Sequence, residues 1–114
     1  MDERKTTLEA GLKGFILQGV IHTLAQSGLT DDQEKIRAKF EAYQTAGAWL
    51  SGDDIGEIES ERAESFFREE TAYYRQAEDL VREASWAAEY AERAEYCHII
   101  AEGLYQLRER REER

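Results

Sequence analysis

The chain has 114 residues, 41% of them hydrophobic and 35% charged, and its 25 acidic against 15 basic residues leave a net charge of −10. A single domain, residues 1–114, fits that length, and the apolar fraction excludes disorder throughout. The acid excess argues against gripping a nucleic-acid backbone, which runs on Lys and Arg neutralising phosphates, and against docking on anionic membranes. The partners it favours are basic protein surfaces, metal cations or further copies of the chain.

Proline and asparagine are absent and there are eight glycines, none of them between Glu57 and Glu102. A β-rich chain needs turn residues about every 8–12 positions, so the expected class is all-α. Cys97 is the single cysteine, which excludes an intramolecular disulfide and fits a reducing, cytoplasmic setting. No apolar run approaches a membrane span, and the charged start Met1-Asp2-Glu3-Arg4-Lys5 leads to the expectation of no signal peptide.

A first helix is expected over about 6–27, capped by Thr6 or Thr7, with Glu9 in its first turn. Leu8, Leu12, Phe15, Ile16, Val20 and Leu24 recur at helical spacing and should form its buried face. Leu17 and Ile21 widen that face until mid-helix is apolar nearly all round, as in a central helix or a subunit contact. Gly11 and Gly19 lie on one side, where a neighbour can approach closely, and His22 reads as a satisfied core histidine.

Gly28 is a suitable helix stop, and Thr30-Asp31-Asp32-Gln33 has the form of a capping box opening a second helix over 30–51. Ile36, Phe40, Tyr43, Gly47 and Leu50 form its expected inner face, and the short turn makes an antiparallel hairpin with the first helix.

After Ser51-Gly52-Asp53-Asp54 nothing breaks a helical pattern from Ile55 to about Arg111. Phe66, Tyr73, Leu80, Ala87 and Ala94, with Ala84, Ala91, His98 and Tyr105, fall at heptad positions of a coiled-coil-like seam. One helix over 55–111 would be roughly 80 Å long, more than a chain of this size can cover. Two structures satisfy the pattern. A straight helix would pair with another subunit, most simply as a homodimer, through Phe66, Tyr73, Leu80, Ala84, Ala87, Ala91, Ala94 and Tyr105. A segment folded back near Arg82 to Trp86 would complete a four-helix bundle; lacking Gly, Asn or Pro there, the sequence favours the straight helix.

One arrangement has the spacing of metal chemistry. Glu95-x-x-His98 matches the ligand pair of ferritin-like di-iron sites, and an antiparallel dimer centred near Leu80 would set Glu64 of one copy opposite Glu95 of the other. Such a site at Glu64, Glu95 and His98 resembles the dimeric half-ferritins in outline and would hold iron. Glu61-x-x-Glu64 supplies half of the magnesium motif of all-helical nucleotide pyrophosphohydrolases, but Gln76 stands where the second half, ending at Asp79, requires Glu. Cys97 and His98 point about 100° apart on a helix and are no nucleophile pair, and Cys97 reads as a buried structural residue.

No motif demands an enzyme or a cofactor. The leading expectation is a non-enzymatic, acidic, self-associating helical protein that docks on a basic protein surface. An accessory or inhibitor protein of a phage or defence system would fit that description. A ferritin-like metal protein and a structural subunit of a larger assembly are the alternatives.

Overall fold

The computed structural model describes residues 3–28 and 32–112, with side chains described over 7–28 and 32–111. These residues form four helices and no strand: α1 (Glu3–Gln26), α2 (Gln33–Ser51), α3 (Glu57–Leu80) and α4 (Ala84–Glu112). The expected capping box falls partly on Thr30 and Asp31, which lie outside the described residues. The cap that is described sits further along, where the Asp32 carboxylate accepts a hydrogen bond from the Lys35 N–H at 3.1 Å. At the other end of α2, Gly52 adopts the left-handed φ of 80°. Its N–H bonds Trp49 O at 3.1 Å, and the Asp53 N–H bonds Ala48 O at 2.9 Å, closing the helix as a Schellman-type stop.

The expectation of one helix over 55–111 is corrected. The chain leaves helical geometry at Val81 (φ −83°, ψ 142°) and re-enters it at Ala84, so α3 and α4 fold back on each other. Their contacts pair Glu64 with Arg108, Arg68 with Glu102 and Tyr74 with Tyr90, an antiparallel arrangement. Two physical reasons account for the break. A β-branched valine takes extended geometry easily, so a three-residue turn of Val81, Arg82 and Glu83 needs no glycine. Folding back also buries Phe67, Cys97, Ile100, Ala101 and Leu104 completely, side chains that a straight helix would leave to a second chain.

The core is shared by all four helices. Leu12 and Ile16 of α1, Ala42, Tyr43 and Ala46 of α2, Ala63 and Phe67 of α3, and Cys97, Ile100 and Leu104 of α4 form one cluster. Tyr43 is its hub: its ring packs on Phe15, Phe66 and Phe67 at centroid distances of 6.0, 5.7 and 5.3 Å. Glycines admit the large rings, as Tyr43 lies against Gly19, Tyr96 against Gly11 and Trp49 against Gly103.

The helices pack unequally. α3 and α4 share the most extensive interface, and α1 rests chiefly on α2 and touches α4 slightly. This edge position corrects the expected burial of α1. Leu12 and Ile16 are buried, but Leu8 is 41% and Leu24 57% exposed, and His22 faces solvent rather than the core. The molecule is a slab of 47 × 40 × 21 Å, two helices thick. Its accessible surface is 8303 Å², against about 6,400 Å² for a typical folded monomer of this mass.

Candidate functional site

The acid excess is not spread evenly. α3 carries eight acidic against three basic residues, whereas α1 and α2 each carry two acidic against three basic. Beside α3, the surfaces of α2 and α3 diverge over alanines to leave a groove of about 1090 Å³. Ala38, Ala42 and Ala48 from α2, Ala63 and Phe66 from α3, and Ile55 from the connecting segment supply its apolar lining. The recess exists because these side chains are mostly too small to close the space between two helix surfaces. Glu34, Glu41, Asp54, Glu59 and Glu69 stand around it against two cations, Arg37 and Arg62, and all seven are exposed. From Glu34 to Ala48 the groove follows α2 for roughly 21 Å at 1.5 Å per residue, about four helical turns.

Five carboxylates around an apolar floor form a trough of negative potential with a greasy base. Such a surface suits the basic, amphipathic face of a helical segment, which buries its apolar side while its cations meet the rim. α2 gave a partial signal in the sequence: its bulky residues mark the inner face, while Ala38 and Ala42, four apart beside Glu34 and Glu41, mark the groove face. That Ala63 and Glu59 of α3 stand across from them depends on the tertiary fold.

Of the residues considered for iron, Glu95 and His98 are neighbours on α4, whereas Glu64 stands beside Arg108, further along that helix. Glu64 accepts hydrogen bonds from Arg68 Nε at 2.6 Å and from Arg108 Nη2. Burial raises its pKa, and the hydrogen bonds from Arg108 and Arg68 overcome that, so the carboxyl sits below its ordinary value. Both oxygens thus answer guanidinium groups. Glu95 is exposed on α4 and His98 is half-buried. Among the described residues, no group of three or more His, Cys, Asp or Glu side chains is placed to hold a metal ion.

The expected seam residues are dispersed by the fold-back. Ala94 is buried, Phe66 packs against Tyr43 and Phe67, and Ala87 and Ala91 are half-buried. Tyr73 is 61% and Leu80 82% exposed near the α3–α4 turn, where Ala84 is exposed too, and Tyr105 is exposed towards the opposite end of α4. Among the described residues, no helix is long and apolar enough to cross a membrane. No protein-family model matches this chain, and comparison with curated proteins and with solved structures finds no significant match.

Proposed function

We propose that this chain is a non-enzymatic interaction protein that takes a basic, amphipathic helical segment of a partner protein into the groove between α2 and α3. The observation that carries this reading is the groove's composition, five exposed carboxylates against two guanidinium groups around a floor of alanines, Ile55 and Phe66. A groove of about four turns holds two to three Lys or Arg positions of a guest helix against Glu41, Glu59 and Glu69. Electrostatic steering by the acidic α3 speeds encounter with a cationic partner, and the apolar floor selects a helix with one greasy face over a merely basic tail.

The test is a fluorescence-anisotropy titration with a Lys/Leu amphipathic peptide, beside a scrambled peptide of equal charge and an acidic counterpart. Binding of the amphipathic peptide that weakens as salt rises, and is lost in the Glu41→Lys/Glu59→Lys/Glu69→Lys variant, supports the groove. Equal binding of the scrambled peptide, or binding indifferent to the charge reversal, removes it.

A further inference from the structure

The outer face of α1 carries a pattern that the fold leaves without a partner. Ala10, Gly14, Leu17, Ile21 and Leu24 recur at alternating steps of four and three residues, and every one of them is exposed. Leu17, Ile21 and Leu24 are 59%, 58% and 57% exposed, and a methyl group added at Gly14 would meet no atom within 4 Å. This is a two-position heptad stripe, the pattern of a helix that packs along another helix. It lies on the side of α1 away from Leu12 and Ile16, which serve the chain's own core.

We propose that this stripe is a self-association face, on which α1 pairs antiparallel with α1 of a second copy about a two-fold axis near Leu17. Three observations select that occupant. The surface exceeds that of a typical folded monomer of this mass by roughly 1,900 Å², more than twice the ~800 Å² each partner contributes to a standard interface. The charge distribution leaves α1 as a route for two copies of net charge −10 to meet, because α1 carries no acid excess and packs chiefly on α2 rather than on the acidic α3. The stripe is also self-complementary. Centred on Leu17, an antiparallel pair sets Leu24 over Ala10 and Ile21 within one residue of Gly14 of the other copy, large against small on either side of a Leu17–Leu17 contact at the axis. A basic partner finds no carboxylate among the five stripe residues, and a lipid surface wants more cations along its edges than Lys13 supplies. The inference goes beyond the groove proposal and does not depend on it.

The experiment is light-scattering mass on the purified chain, the Leu17→Glu/Ile21→Glu variant and a Leu80→Glu variant, with circular dichroism on each. The expected result is twice the 13.2 kDa chain mass for wild type and for Leu80→Glu. The α1 variant should run at single-chain mass with unchanged helicity, its mutated side chains being exposed. Mild oxidation adds the register: Leu17→Cys should cross-link to itself across the axis, and Leu24→Cys should not. Raising salt should hold or tighten the dimer by screening its net charge, opposite to the expected effect on peptide binding in the groove. A wild-type monomer overturns the proposal, including one that co-sediments with phosphatidylcholine vesicles. A dimer that survives the α1 charges but fails with Leu80→Glu overturns it too, by placing the contact at the α3–α4 turn. Cross-linking through Leu24→Cys rather than Leu17→Cys overturns the antiparallel pairing.

Discussion

Arg108 of α4 donates to the Glu64 carboxylate of α3, and both side chains are mostly withdrawn from solvent, 16% and 12% exposed. The same guanidinium reaches Ser60 Oγ at 3.0 Å, and Arg68 holds the other oxygen of Glu64 at 2.6 Å. This network ties α3 to α4 well away from their connecting turn. Losing one member leaves a shielded charge uncompensated, at a cost of about 1–3 kcal/mol. Glu64→Gln should therefore lower the urea midpoint at neutral pH.

The pH dependence has a definite sign. Glu64 has a folded pKa below its ordinary 4.5, so its stabilisation is present above that value and fades as pH falls through the folded one. The gap between wild type and Glu64→Gln should close below pH 4.5, as followed by urea titrations at successive pH values. A gap of constant size would mean the carboxylate's charge does not matter.

Gly19 and Gly47 make opposite predictions from the same substitution. A methyl group at Gly19 would strike the ring of Tyr43, which is 3% exposed and packed on three aromatic rings, so it cannot swing away. At Gly47 the nearest atom is Ile16 Cγ2 at 3.8 Å, an ordinary contact. Alanine favours a helix interior over glycine by about 1 kcal/mol, while overpacking a core costs about 1–3 kcal/mol. Gly47→Ala should raise the melting temperature and Gly19→Ala lower it, in melts monitored at 222 nm.

The helical class was legible because glycine clusters at 52–56 and is missing from 57–102, and the stop at Gly52 could be read from its type alone. The turn at Val81–Glu83 was legible only as the less favoured alternative, a fold-back near Arg82 to Trp86, since none of its residues is a helix breaker and what bends the chain is the burial of Phe67, Ile100 and Leu104 between helices. Of the heptad positions in α3 and α4, Phe66, Ala87, Ala91 and Ala94 are buried or half-buried while Tyr73, Leu80, Ala84 and Tyr105 are exposed, because the pattern could not say whether the facing helix belonged to the same chain. On α1, the apolar girth was legible, but its division into a core face and an outer stripe was not. That division follows from α1 resting on α2 at the edge of the slab, a tertiary fact. The groove was legible only in part, on the α2 side, because Glu59 and Ala63 come to line it with Glu41 and Ala42 through the packing of α2 on α3.

Glu70 opposes Glu64 in the same pH range. Burial raises its pKa above 4.5, its neighbour Glu69 adds to the rise, and Lys39 and Lys35 only partly offset them. The folded state thus holds the Glu70 proton more tightly than the unfolded state. The associated stability is full below 4.5 and is lost as pH rises through the folded value. Glu70→Gln keeps the shape and removes the buried charge, so it should raise the melting temperature at pH 7 and lose that advantage towards pH 4. A variant less stable than wild type at pH 7 would show that the lysines outweigh the burial.

Cys97 gives a probe of how the four helices open. Its thiol is fully buried in the core shared by the four helices, and burial, with Glu70 nearby, pushes its pKa up to about 12. Reaction with an aromatic disulfide reagent needs both exposure and the thiolate, and the folded protein offers neither. Labelling must therefore wait for an opening that separates α4 from α3. Because Cys97 shares one cluster with Phe67, Ile100 and Leu104, that opening should expose most of the core. The labelling rate should climb with urea as steeply as global unfolding does, measured by stopped labelling and mass spectrometry. Labelling that proceeds at a rate insensitive to urea would mean that α4 detaches locally, with α1 still packed on α2 and α2 on α3.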